Sequence, residues 1–565
     1  MLKVTPGRNR HGGALLALVL AAALALSGCG GGTGQRLSPD KQASGNDINS
    51  KPRDQVRDGG TLRWPIPALP TNYNYNHLDG TVAETSDIVG AVMPRLFPGT
   101  VDGGFRINTD YLTDARVTAT EPNQVVTYTI NPKAAWSDGT PITWRDFEAF
   151  WRASNGKNPA FQTAGTVGYE DVTSVVRGTD DKQAVVTFGK RVGEWQALFE
   201  PLYPASHYST PDAFNKGWAT SMPVTAGPFV VDAIDQTAKT VTLKRNPNWW
   251  GAPAKLDTII FRAMDQAAQP DALANNELDF YDVGSSVDLL RRAQGIPGVA
   301  IRISPSEYYN QLTFNGSPGA ALSDERVRLA VAKGIDRQAI ARRMIGQIVP
   351  QAHTAGNHIY RLGSKDYRDN SAALPFDPAA AERELDSLGW TRPAPGAPRQ
   401  KDGRPLRLRL GFYDQQANTD LCKTVQNQLA QLGVTVELTP FPGSEYTTNL
   451  TRGNFDLFSF AWGNTPTPLT SSLGIYSSPL GNNVRQNYGR IASPEVDRLF
   501  AEGVTELDPA RRTEIGDRID QLLWRNMHDL PLYPRPAVVA AKDNLANFGA
   551  QGFATYSYTD MGFTK

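Results

Sequence analysis

LRLRLGFYDQQANTDLCKTVQNQLAQLGVTVEL, residues 406–438, decides the fold class. Leu406, Leu408 and Leu410 alternate with Arg407 and Arg409, the period of a strand with one covered face. Asn418-Thr419-Asp420 offers capping side chains for a helix that carries Val425, Leu429 and Leu432 on one face. Gly433 stands where a residue in the left-handed region ends such a helix. Val434, Val436 and Leu438 alternate again. Strand, helix and strand with short links form a right-handed crossover between parallel strands. A short polar helix and a third strand over residues 455–460 are predicted to follow.

The pattern extends outward on both sides. Asp377 caps a helix that opens with Pro378, carries Ala381, Leu385 and Leu388, and stops at Gly389. Ser323 opens a helix over 324–333, Gly334 breaks it, and Asp336 caps the next, over 337–345. Residues ~320–530 therefore read as an α/β lobe. Residues ~60–300 are richer in strands and turns: 125–130 and 184–188 are β-rich, and 229–231 with 240–243 read as a hairpin. No period of ~20–50 residues repeats, which excludes a solenoid.

Composition narrows the function. Fifty-seven Lys and Arg balance 57 Asp and Glu, so the basic excess of a nucleic-acid surface is absent. With 40% hydrophobic residues the chain fills cores, which excludes a mostly disordered protein. Cys29 and Cys422 are the only cysteines, too few for a disulfide scaffold or a cysteine-rich zinc site. Cys422 reads as a small buried hydrophobe. The six histidines form no H-E-x-x-H pair, and no G-x-S-x-G elbow occurs, so the chain reads as a binding protein and not an enzyme. Ser38-Pro39-Asp40-Lys41 and the glycines 30, 32 and 34 imitate catalytic and nucleotide motifs, but neither sits at a strand-to-helix turn.

The first residues are an address. Lys3, Arg8 and Arg10 precede an apolar run over 14–26, shorter than the ~20 residues of a membrane span and of signal-peptide length. It ends Leu26-Ser27-Gly28-Cys29, which resembles a bacterial lipobox, with Cys29 the lipid-bearing N-terminus of the mature chain. A polar, glycine- and serine-rich tether then runs to about residue 58. In open α/β sheets ligands bind beyond the carboxyl ends of the strands. The segment after the third strand, Ala461-Trp462-Gly463-Asn464-Thr465-Pro466, supplies an aromatic face, an open backbone and polar groups there.

Further blocks carry a family resemblance. Trp136-Ser137-Asp138-Gly139-Thr140-Pro141-Ile142-Thr143, Ala226-Gly227-Pro228-Phe229, Arg245-Asn246-Pro247-Asn248-Trp249-Trp250-Gly251, the helix pair around Arg326 and Asp336-Arg337, and Leu530-Pro531-Leu532-Tyr533 occur in order. From about Gly59 to the end the chain resembles the peptide/nickel-binding, family 5 solute-binding proteins of ABC importers, the OppA/DppA-like group, and most of all their actinobacterial oligopeptide-binding lipoproteins. The resemblance implies an α/β, two-lobed flytrap fold of the type II periplasmic-binding-protein kind, with an extra subdomain inserted in lobe one. The implied divisions are a signal peptide at 1–28, a tether at 29–58, lobe one at 59–305 with its insert at ~91–219, lobe two at 306–537, and a return to lobe one at 538–565. The lobes would hinge near 308–310 and 534–538. Trp136, Asp138, Gly139, Asn246, Trp249 and Asp336 carry over as fold residues.

Ligand roles carry over to Asn72, Tyr73 and Asn74, to Tyr308 and Asn310, and to Trp462, Gly463, Asn464 and Thr465. Peptide-binding members often have Asp three residues after this Trp, paired with the ligand's α-ammonium, and here that position is Thr465. Another carboxylate, such as Asp79, must then serve, or the ligand lacks a free amine there. The resemblance implies an oligopeptide ligand, permease partners, a membrane contact through the lipid, and a monomer without cofactor or metal. The alternatives are a non-peptide solute (haem, metal chelate, siderophore, oligosaccharide or glycolipid precursor) on the same fold, or a cell-envelope scaffold that transports nothing.

Overall fold

The computed structural model describes residues 45–349, 351–463, 466–481 and 483–565. The signal peptide, Cys29, the first part of the tether, Asn464 and Thr465 lie outside the described residues.

The crossover forms as the pattern requires. Strand Arg407–Tyr413 pairs in parallel with Thr435–Phe441, and the helix between them is Gln416–Gln431. Leu421, Cys422, Val425 and Leu429 form its buried face, so Cys422 is the expected small hydrophobe, its thiol pushed up to about 12 by burial. Gly433 follows the helix with φ +82°, the conformation that a Cβ penalises. The cap differs from expectation. Asn418, Thr419 and Asp420 lie inside the first turns, and Asn418 Nδ2 instead donates to the carbonyl of Tyr413. One residue's shift also applies earlier: Asp324, not Ser323, caps the helix Glu325–Lys333. Asp336 and Asp377 cap Arg337–Ile345 and Pro378–Ser387 as read.

The third strand, Leu457–Gly463, lies parallel to Arg407–Tyr413 and antiparallel to a long strand, Val299–Phe314. That strand pairs along its length with Asp529–Lys542, whose far end takes Phe280–Asp282 as edge. The six-stranded sheet therefore runs from one lobe into the other. Its first half, near Val299 and Lys542, packs with lobe one: Phe280 and Phe548 stand against Trp64 at 5.2 and 4.9 Å. Its second half is the floor of lobe two. Between Pro305 and Tyr309 the register shifts, so the ladder loosens where the chain passes between lobes.

Lobe one adds a four-stranded sheet in which Thr61–Ile66 lies parallel to Thr258–Ala263, followed by the antiparallel Thr240–Arg245 and Phe229–Asp235. The predicted 229–243 hairpin is the outer half of it. The inserted subdomain is a second, wholly antiparallel sheet of Leu112–Ala119, Gln124–Ile130, Gln183–Phe188 and Val172–Arg177. The C-terminal tail closes over lobe one. The buried Arg302 donates to the carbonyls of Lys542 and Leu545 at 2.9 and 2.7 Å, and also to that of Phe548. The blocks behind the resemblance do local work. Trp136 is buried, Gly139 has φ +87°, Asp138 accepts from Thr140 N at 2.9 Å, and Asn246 bonds Gly227 O.

Candidate functional site

The cleft lies where the loosened ladder meets the end of Leu457–Gly463. On one side that strand pairs with Val299–Phe314 as far as Tyr308 opposite Gly463. On the other side its pairing with Arg407–Tyr413 stops at Phe412 opposite Ser459. Antiparallel geometry turns alternate peptide groups to opposite sides. Residues 460–463 thus present a strand edge to which no other described strand pairs.

Aromatic rings frame this edge. Trp462 is partly buried, stacks on Tyr488 with centroids 5.9 Å apart and planes 3° off parallel, and meets Phe460 edge-on at 4.7 Å. Gly463 must stay small, since a Cβ there would stand 2.7 Å from the Tyr308 ring. Tyr308 is half exposed, and burial, Glu307 and Tyr75 raise its phenol while Arg535 opposes them, so groups of both lobes surround it. Asn310 is buried and turned to the protein, accepting from Arg535 Nη2 at 2.8 Å and Nε at 3.2 Å. Tyr309 is buried beneath, with the Arg361 guanidinium 4.2 Å from its ring centre.

The early segment sits differently from the expectation. Asn72, Tyr73 and Asn74 are all buried. Asn72 Nδ2 donates to Asn215 O and Asn74 Nδ2 to Phe214 O, so these side chains fasten the segment to the insert. A Cβ on Gly80 would lie 1.9 Å from Asn74 O, which fixes glycine there. Tyr75, its backbone held by the Tyr203 hydroxyl, is the partly exposed member beside Tyr308. Asp79, the suggested substitute carboxylate, is mostly exposed and lies 3.8 Å from His77.

Three groups escaped the sequence reading: Tyr75, Arg535 and Glu307. Glu307 and Arg361 line a small cavity of about 50 Å³, faced by Gly99, Gly104 and Phe553 on one side and Tyr360 and Pro466 on the other. Burial raises its carboxyl, with Arg361 pulling the other way. Among the described residues no group of His, Cys, Asp or Glu is arranged to hold a metal ion, and no helix is long and apolar enough to cross a membrane.

The lobes grip each other beside this cavity. The fully enclosed Glu194 carboxylate of the insert accepts from Leu469 N at 3.3 Å and Thr470 N at 2.9 Å, the first amides of the lobe-two helix Pro468–Tyr476. An anion there meets unpaired N–H groups and the positive helix end. Gly193 N donates to Val504 O at 2.7 Å, and Arg512 Nη1 donates to Gly193 O at 2.9 Å. Lys365 N donates to Asp102 O at 2.9 Å across the cavity mouth. These contacts tie lobe one to lobe two across the cleft.

Comparison with known proteins agrees with the architecture. The chain is 42% identical over 568 residues to the oligopeptide-binding protein OppA of Mycobacterium tuberculosis, covering 99% of this chain and 95% of that one. The periplasmic EDTA-binding protein EppA superposes with a TM-score of 0.82 at 25% identity, over 92% of this chain and 98% of the other. The oligopeptide-binding protein AppA of Bacillus subtilis, solved with a nonapeptide, gives 0.70 at 18% identity, over 90% and 100%. The profile of the bacterial extracellular solute-binding proteins, family 5, matches residues 111–483. With its two lobes, its inserted sheet and a match to that profile across most of its length, the chain belongs to family 5 of the bacterial extracellular solute-binding proteins.

Proposed function

We propose that this chain is the lipid-anchored, extracytoplasmic receptor of an ABC importer, which captures oligopeptides between its lobes and passes them to a membrane permease. The observation that carries the reading is the unpaired strand edge at residues 460–463, opening on the interlobe cleft beside Trp462 and Tyr308. A peptide laid along it adds a strand through backbone hydrogen bonds, which gives affinity without a strict sequence requirement. The 42% identity to a mycobacterial oligopeptide-binding protein supports the same ligand class. In this reading lobe one comprises 59–305 with 538–565, and lobe two 306–537. Tyr308, Trp462, Gly463, Asn464 and Thr465 serve as ligand contacts, Asn310 holds Arg535 beside them, and Asn72, Tyr73 and Asn74 brace the segment that carries Tyr75.

A second reading keeps the fold and changes the solute to a metal chelate, which the likeness to an EDTA-binding protein favours. A polyanionic chelate requires free cationic groups, and here Arg361 and Arg535 are engaged by backbone carbonyls and Asn310. The peptide reading fits this charge distribution better.

Mass spectrometry of what is released on denaturing the natively purified protein separates the two. A ladder of mixed peptides is expected. A single non-peptide species refutes the peptide reading. The anchor is tested on the same preparation: the mature N-terminal peptide should begin with a lipid-modified Cys29, and Cys29→Ala should leave the membrane fraction.

A further inference from the structure

The segment that composition assigns to the tether belongs, from residue 45 onward, to the fold. It runs along the C-terminal tail and is bonded to it throughout. Asp47 and Ala550 exchange backbone bonds at 2.8 and 3.0 Å, and Phe548 N donates to Ile48 O at 3.0 Å. Asn49 Nδ2 donates to Asp543 O and Leu545 O at 3.0 and 3.1 Å. Lys51 N donates to Asn547 Oδ1 at 2.8 Å, and Asn547 Nδ2 returns a bond to Lys51 O at 3.1 Å. Farther along, Arg53 Nη1 donates to Thr559 O at 2.9 Å and to the Asp560 carboxylate at 2.6 Å, Val56 is wholly buried, and Arg57 N donates to Phe563 O at 2.9 Å. A chain end tied down at this density is an ordered part of the domain.

The start of this segment reaches the ribbon that links the lobes. In the lobe-one half of that ribbon, Val299–Phe314 pairs with Asp529–Lys542 on one side. On the other side, among the described residues, Leu457–Gly463 pairs with it only from Tyr308 onward. The outer edge of 299–304 is therefore left to the two chain ends. The Asp47 carboxylate accepts from Ile303 N at 3.2 Å, and the Ser304 hydroxyl accepts from Gly552 N at 2.9 Å. An edge covered in this way is closed to pairing with another chain. Asp47 also faces Arg302: burial lowers that guanidinium to about 10, while Asp47 and then Asp543 favour its charged form. The approach is close, since a Cβ on Gly549, at φ +146°, would lie 2.5 Å from Arg302 Cδ and 2.6 Å from Asp47 O. Just beyond this grip, between Pro305 and Tyr309, the ladder loosens.

We propose that residues 45–58 are a strap that holds the lobe-one root of the hinge, with Asp47 the positioning residue that couples the strap to the ribbon. Bending at 305–309 then swings lobe two against a root that both chain ends hold still.

The test follows backbone hydrogen exchange in the full chain by mass spectrometry, read over residues 306–314, beyond the amide that Asp47 itself bonds. Asp47→Ala is expected to speed exchange there about 10-fold, the equivalent of one lost hydrogen bond. Asp47→Asn keeps an acceptor for Ile303 N and should exchange near the wild-type rate. Arg53→Ala cuts the far end of the strap and should lower the melting temperature while 306–314 exchange as before. If Asp47→Ala lowers the melting temperature and leaves 306–314 at the wild-type rate, Asp47 serves stability alone and the proposal is overturned. Should Arg53→Ala speed 306–314 as much as Asp47→Ala does, the effect is a general loosening, and the coupling through Asp47 is refuted.

Discussion

Glu194→Ala is the sharpest probe of closure. Glu194 joins the insert to lobe two only in the closed form, through the amides of Leu469 and Thr470 at the start of the helix Pro468–Tyr476. Truncation leaves those amides without an acceptor inside a buried contact, at about 1–3 kcal/mol. It also removes an anion from a helix N-terminus, worth roughly 0.3–1 kcal/mol. Against this stands the cost of burying the carboxylate, which already raises its pKa. A net loss of about 2 kcal/mol follows, and it falls on the closed state alone because water solvates both partners once the lobes part. Ligand affinity is the intrinsic affinity scaled by the closed population, so the dissociation constant should rise by up to about 30-fold, and by less the more the ligand-free wild type is already closed. Isothermal titration with peptides recovered from the wild-type protein measures that shift. Small-angle scattering of the ligand-free variant should show a larger radius of gyration. Wild-type affinity together with an unchanged radius would show that Glu194 does not hold the lobes together.

Gly193→Ala tests the same contact sterically: a Cβ there would lie 2.3 Å from Glu506 O and 3.2 Å from Val504 O, so affinity should drop about 10-fold or more by titration with little change in the ligand-free melting temperature. Trp462→Ala removes the ring stacked on Tyr488 and should weaken peptide capture about 10-fold while circular dichroism stays that of the folded protein. His207 is buried among Tyr203, Phe214 and Trp218, neither ring nitrogen has a hydrogen-bond partner among the described residues, and burial lowers its pKa to about 3. A folded-state pKa below the unfolded one gives stability that is present above pH ~6.5 and lost as pH falls, by up to about 1.4 kcal/mol per unit. His207→Phe should therefore melt near wild type at pH 8 and above it at pH 5; parallel pH curves would refute this.

Much of lobe two was readable because its signals are local. The 406–438 crossover needs only two periods and a stop, and all three are written in neighbouring residues. The cap was misplaced because Asn418, Thr419 and Asp420 look alike as caps wherever they stand, whereas the helix start at Gln416 follows from how Tyr413 leaves its strand. The pairing of Val299–Phe314 with Asp529–Lys542 leaves no trace in either segment alone. Near the cleft, Trp462 was singled out by its neighbours and Tyr308 by the family resemblance, while Asn72, Tyr73 and Asn74 were named from a run of alternating Asn and Tyr that does not say which member faces out. Glu307 reads in sequence as one more solvated carboxylate. The fold instead encloses it beside Arg361, in a cavity lined by both lobes.

The long ribbon of Val299–Phe314 with Asp529–Lys542 has a consequence for how the protein is made. Both lobes borrow a strand from the last tenth of the chain: Phe280–Asp282 waits for Val539–Ala541, and the buried Arg302 for the carbonyls of Lys542 and Leu545. Neither lobe has its full sheet until the ribosome has nearly finished. Contacts so distant in sequence form slowly. If the chain is exported as proposed above, it should stay loose during threading and lock into shape only after its C-terminal end has emerged on the far side. Removing residues 529–565 should thus unravel both lobes at once and leave no half-active remnant.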